Sequence, residues 1–160
     1  MAAVEDFLVL QGEITALLKV ALADMRPAVH VLTPADLAGE DSADSKTTPA
    51  AQPTPAVNVV YMGHKFSAAP DRQRSDGRAT LIAQLFVLEV ATRNVRSLKA
   101  GSAARADGGA LALRVFKAAV GARLPSAASP LMFVPGPGPV FKAGIQYLPL
   151  LVQADLLITK

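Results

Sequence analysis

The run Ala79–Thr92, ATLIAQLFVLEVAT, constrains the fold more than any other stretch of this chain. It is rich in β-branched and large apolar residues and reads as a strand. Successive side chains of a strand alternate between its faces. Leu81, Ala83, Leu85, Val87 and Glu89 therefore share one face, and Ile82, Gln84, Phe86, Leu88 and Val90 the other. Both faces are largely apolar, which predicts a central strand covered on each side, by helices or by another subunit. In extended conformation the run spans roughly 46 Å, whereas an ordinary strand has about 5–6 residues. A strand this long is expected to reach past its own core and serve as a contact surface.

The rest of the chain supplies neighbours for that spine. Val4–Asp24 predicts an amphipathic helix, with Phe7, Leu10, Ile14, Leu17 and Ala21 at three- and four-residue steps and Leu18 widening the stripe. Glu5 and Asp6 fall in its first turn, where the helix dipole favours negative charge. Gly12 weakens its middle, and Pro27 stops it. A short strand follows at Ala28–Leu32, with Val29 and Val31 on one face.

Thr33–Pro55 is polar and rich in Pro, Ala, Ser and Thr. It predicts a long loop, mobile over Glu40–Pro53 and opening with a short turn at Thr33–Leu37. Ala56–Met62 is a second strand, Val57, Val59 and Tyr61 lying opposite Asn58, Val60 and Met62; Gly63 ends or bends it. Ser67–Arg78 then carries Arg72, Arg74 and Arg78 among Asp71, Asp76 and Gly77. It is either a solvated turn between antiparallel neighbours or a basic finger for an acidic partner. No aromatic residue interleaves the arginines, so base stacking has no platform there.

Beyond the spine, Arg93–Gly101 leads to a second helix at Ser102–Ala122. Its apolar face is built from Ala106, Ala110, Leu111, Leu113, Val115, Ala118 and Ala119. Gly108-Gly109 is expected to delay its start to about Ala110. Arg114, Lys117 and Arg123 gather toward its C-terminal end, and Gly121 and Pro125 terminate it. Leu131–Val134 is a short apolar run before the bend Pro135-Gly136-Pro137-Gly138-Pro139. Val140–Ile158 reads as one or two strands, Pro149 marking an edge or a bulge. These elements predict an α+β fold in a single domain over residues 1–160: a mostly antiparallel sheet with two helices packed against it.

Chemistry is harder to find. The two histidines, His30 and His64, belong to no spaced metal motif. Glu40, Asp41 and Asp44 cluster in the polar loop, a poor support for groups that need fixed geometry. No serine sits in a nucleophile elbow, and the absence of cysteine removes thiolate chemistry and disulfides. Gly101–Gly109 lacks the Lys-Ser/Thr pair of a phosphate loop, and Pro135–Pro139 has few N–H donors. No enzyme activity, metal or cofactor is therefore expected. The formal charge of +3 is scattered along the chain, which does not indicate sequence-specific nucleic-acid binding. Glu5 and Asp6 stand where a signal peptide is basic. No apolar run reaches the roughly 18–20 residues of a membrane span, so a soluble chain is expected.

Four stretches, taken in order, carry a resemblance. They are Thr54–Tyr61 with Gly63; Val90-Ala91-Thr92-Arg93-Asn94; Ala104–Gly109 followed by Leu111; and Gly144-Ile145-Gln146-Tyr147-Leu148-Pro149-Leu150. Together with the N-terminal amphipathic helix they resemble the tail terminator, or tail completion, proteins of long-tailed bacteriophages, in particular their Mu-like branch. Each motif alone is short; their order and spacing carry the likeness over nearly the whole chain. The resemblance implies a structural, non-enzymatic virion protein with a sheet flanked by helices. It implies a six-membered ring on the head-proximal end of the tail tube, which stops tube polymerisation and presents a surface for head joining. The implied partners are the chain itself, the tail tube protein and connector or neck proteins, with no membrane; the implied location is the neck end of the virion tail, after assembly in the host cytoplasm. Arg72, Arg74 and Arg78 are the candidate interaction residues. A neck or head-completion protein is the first alternative, and a small-ligand-binding domain the second.

Overall fold

The computed structural model describes residues 4–38, 52–66, 79–93 and 98–159, with residues 98–106 as backbone. In chain order the elements are α1 (Val9–Ala21), β1 (His30–Leu32), α2 (Pro34–Ala38), β2 (Ala56–Phe66), β3 (Ala79–Arg93), α3 (Leu98–Ala119), β4 (Met132–Val134), β5 (Val140–Lys142) and β6 (Ile145–Thr159). The strands form one sheet in the order β1-β2-β3-β6-β4, with β5 also on β6. Only β1 and β2 run parallel; the other pairs are antiparallel. The fold is α+β, as the sequence predicts.

β3 is the spine. It pairs with β6 through all fifteen of its residues, Ala79 opposite Thr159 and Arg93 opposite Ile145, so the two-strand ladder is about 50 Å long. On its other side it pairs with β2, Phe86 opposite Tyr61 and Val90 opposite Val57. The register slips between Tyr61 and Gly63, whose φ is +122°. Met62 is the extra residue of this bulge, and β2 continues beyond it to Phe66. Gly63 bends the strand rather than ending it.

Within the subunit, the long helices cover the spine on one side. The buried core is built from Leu10, Ile14 and Leu18 of α1, Leu111, Val115 and Ala119 of α3, and one face of the sheet: Val57, Val59, Phe86, Leu88, Val90, Val152, Ala154 and Leu156. α1 lies over β1 and β2, α3 over β3 and β6, and both long helices are on that single face. Across the sheet, Leu81, Ala83 and Ala91 are buried, but Leu85, Val87 and Glu89 between them are only half-buried. Apolar alternation reports that a face avoids water; it does not say what covers it.

Helix boundaries also shift. α1 begins at Val9, so Glu5 and Asp6 precede it, and the Asp6 carboxylate accepts a hydrogen bond from the Leu8 N–H at 2.9 Å. α3 begins at Leu98 and runs through Gly108-Gly109 without a break. Gly108 is there for contact: a Cβ on it would stand 2.9 Å from Thr92 Oγ1, so the missing side chain lets helix and strand approach closely. Polar contacts tie α1 to α3 and to the segment that follows it. Arg114 donates to the Ala21 carbonyl at 3.2 Å and to Asp24 at 2.6 Å. Glu13 accepts from the Ser126 hydroxyl at 2.6 Å and from its N–H at 3.2 Å.

Smaller expectations hold. Pro34–Ala38 is a short helix at the start of the polar stretch, and Val140–Thr159 is two strands joined at Ala143-Gly144, both with positive φ. Pro149 falls where β6 has no second neighbour, between its pairing to β4 at Leu151–Gln153 and to β5 at Ile145–Tyr147. A residue without an N–H disturbs the ladder least at such a gap. The mobility expected of Glu40–Pro53 falls mostly on residues 39–51, outside the described residues.

Candidate functional site

Sequence reasoning proposed Arg72, Arg74 and Arg78 as the interaction surface. They belong to residues 67–78, outside the described residues; what the fold supplies is their context, since the segment connects the antiparallel neighbours β2 and β3. The two histidines stand apart, His30 on β1 and His64 near the end of β2. Among the described residues no group of three or more His, Cys, Asp or Glu side chains could hold a metal. No helix among them is long and apolar enough to cross a membrane.

The distinctive features among the described residues are three surfaces. The first is aromatic. Past the β2 bulge, His64 and Phe66 lie on the same face as Tyr61, opposite Gln84 and Ile82 of β3. The Tyr61 hydroxyl lies 2.7 Å from His64 Nδ1, and Phe7 stands edge-on to both rings, with centroids 6.1 and 5.4 Å away. Beneath them Gln84 is fully buried; its Nε2 donates to the Phe7 carbonyl at 2.7 Å, while its Oε1 has no partner among the described residues. Phe66 remains 61% exposed. Burial pushes the Tyr61 hydroxyl pKa up, so the phenol stays neutral near pH 7.

The second surface lies on the outer flank of α3. Leu111, Ala112, Val115 and Ala119 face the core, and Arg114 reaches sideways to α1. Leu113, Phe116 and Val120, at helical spacing, emerge on the side away from Arg114 and stay 54%, 39% and 48% exposed. Phe116 packs against Phe133 of β4 with centroids 4.3 Å apart, which fixes this flank as the β4 side of the molecule. The sequence reading placed Leu113 in the buried face. The available signal was a second apolar stripe in one helix, 113–116–120, too wide of the first to share its core.

The third surface is the helix-free face of the sheet. There Glu89 sits among apolar neighbours, and Asn58, only 3% exposed, donates to its Oε2 at 3.1 Å. Asn58 is itself held by a reciprocal pair of hydrogen bonds with the Gln52 amide, both 3.2 Å. Tyr147, on the same face, has its pKa raised by burial and by the Glu89 charge. At the end of this face β5 is exposed throughout, Val140 by 55% and Phe141 by 61%.

These three surfaces carry large apolar side chains left exposed among the described residues. The model of one family, phage tail terminator protein, matches residues 14–160. The chain belongs to the phage tail terminator family. A chain solved in the virion of a native gene transfer agent particle has the same fold, with a TM-score of 0.51 and 17% identity over 92% of this chain and 94% of that one. No curated protein matches in sequence. The family is one of structural components of the phage particle.

Proposed function

We propose that this protein caps the head-proximal end of a phage tail tube as a homomeric ring of six subunits, stops tube polymerisation and presents the surface to which the head is joined. The family match over residues 14–160 carries the reading. Exposed apolar side chains at both ends of the sheet and on the flank of α3 support it, because a lone subunit gains nothing from leaving them in water. In the same reading Arg72, Arg74 and Arg78 contribute to contact with a neighbouring subunit or with the tube. No reacting group is asked of the chain; the work is occlusion of a growing end.

Polymerising purified tail tube protein with and without this protein tests the proposal. Added at the start, the protein should bind one end of each tube, seen by negative staining, and end its growth. Tubes that continue to elongate with both ends bare would refute capping. Copurification with filled heads instead of tails would assign the protein to the neck.

A further inference from the structure

One flank of the subunit is apolar and basic, and another is acidic and lined with small residues. From Gly108 to Lys142 the chain has Arg114, Lys117, Arg123 and Lys142 and no carboxylate. From Val4 to Asp24 it has Glu5, Asp6, Glu13 and Asp24 against Lys19 alone. Arg114 and Asp24 satisfy each other within the subunit. Lys117 and Arg123 are left exposed on the α3 side, Glu5 and Asp6 on the α1 side.

The apolar groups follow the same division. Leu113, Phe116 and Val120 stand out from α3 toward the β4 edge. On α1, Gly12, Ala16 and Val20 recur at four-residue steps away from the core; all three are exposed, Val20 by 80%, and open space lies above Gly12. The α1 stripe lies opposite Leu10, Ile14 and Leu18 and points away from the sheet, whereas the α3 stripe points toward the β4 edge, so the two stripes lie on different sides of the subunit. They also lie at matching heights. Arg114 of α3 meets α1 at Ala21, which brings Leu113 near the height of Val20.

We infer that the α3 stripe of one copy packs against the α1 stripe of the next, Leu113, Phe116 and Val120 seating on Gly12, Ala16 and Val20. The inference rests on the ring reading and names the surfaces that build it. Large side chains enter a strip of small ones, as close helix packing requires. Lys117 and Arg123 approach the acidic start of α1, which selects this pairing over α3 against α3, where cations would face cations. Because the two stripes belong to different sides, each copy uses one stripe on each neighbour. Such a heterologous contact closes into a ring when the rotation between copies permits.

The chain has no cysteine, so paired cysteines report without background. Light scattering of the unmodified protein first establishes its assembly. Leu113→Cys with Val20→Cys should then oxidise to a ladder of covalent multimers, while either cysteine alone gives none. Within one copy the two positions lie on opposite sides of α3, too far apart for a disulfide, whose Cα atoms stand about 4.4–6.8 Å apart. Independently, Leu113→Lys and Val20→Lys should each raise the half-assembly concentration at least about tenfold, with circular dichroism unchanged. A protein that assembles but is indifferent to both lysines refutes the contact and leaves the ring intact. Covalent dimers from Leu113→Cys alone refute it in favour of a two-fold pairing. A protein monomeric at every concentration, and on tubes, removes the ring reading and this contact together.

Discussion

Within the spine, neighbouring residues have opposite fates. Phe86 is fully buried beneath the helices, whereas Leu85 is half-buried on the helix-free face. Phe86→Ala should therefore cost about 3–5 kcal/mol in denaturant unfolding, and Leu85→Ala clearly less. Equal losses would mean that Leu85 is as enclosed as Phe86. Sequence alone could not separate the two, since each is a large apolar residue in an apolar alternation. Charged residues add a smaller effect. The Arg114 guanidinium, through its hydrogen bond, holds the Asp24 carboxyl below its ordinary value of 3.8, and the Thr33 N–H and hydroxyl do the same for Asp36. A carboxylate with a depressed folded pKa stabilises the fold fully above its unfolded value, and that stabilisation is lost as pH falls through the folded one. Both groups are exposed, so solvent screens the benefit. The expected result is that Arg114→Ala moves the Asp24 titration, followed by NMR, upward toward 3.8, with stability near pH 7 little changed. An unmoved titration would show that the pair does not persist in solution.

At the scale of elements, what the sequence expresses locally was legible. β3 extends only one residue past Ala79–Thr92, the β2 faces alternate as read, and the C-terminal stretch read as one or two strands is two, β5 and β6. Local rules failed where tertiary contact overrides propensity. Gly108-Gly109 looks like a helix start, yet α3 passes through it because one glycine admits Thr92 while the other faces solvent. The pair therefore responds unequally to alanine. Gly109→Ala meets nothing within 4 Å and should stabilise by up to about 1 kcal/mol through helix propensity alone. At Gly108 the same gain is opposed by the crowding of Thr92 Oγ1, 2.9 Å from the new Cβ. Thermal unfolding should rank Gly109→Ala above Gly108→Ala; the reverse order would indicate that Thr92 turns aside freely and that close approach is not why Gly108 is glycine.

For the whole molecule, the long apolar spine pointed to a contact surface, and the ring was suggested only by the family likeness. Composition removed thiolate chemistry, but nothing in the periodicity said that Leu113, Phe116, Val120 and Phe141 would be left outside the core, because exposure is decided by elements distant in sequence. The arginines of the β2–β3 connection make a separate case, proposed from sequence and lying outside the described residues. Their test depends on charge rather than on shape. Three cations at the junction of two long strands should steer an acidic partner, raising its association rate more than its final affinity if they remain at the rim of the contact. Ions at physiological strength screen such attraction beyond about 8 Å, so the effect must shrink as salt is added. Replacing Arg72, Arg74 and Arg78 together by Ser should leave the circular dichroism spectrum unchanged and slow ring formation or tube capping at low ionic strength. The difference from the parent protein should fade as salt rises. A triple variant that assembles and caps like the parent at every salt concentration would return this segment to a solvated turn. A deficit that persists at high salt would instead place the arginines inside the contact, as desolvated charge pairs whose loss acts on dissociation rather than on encounter.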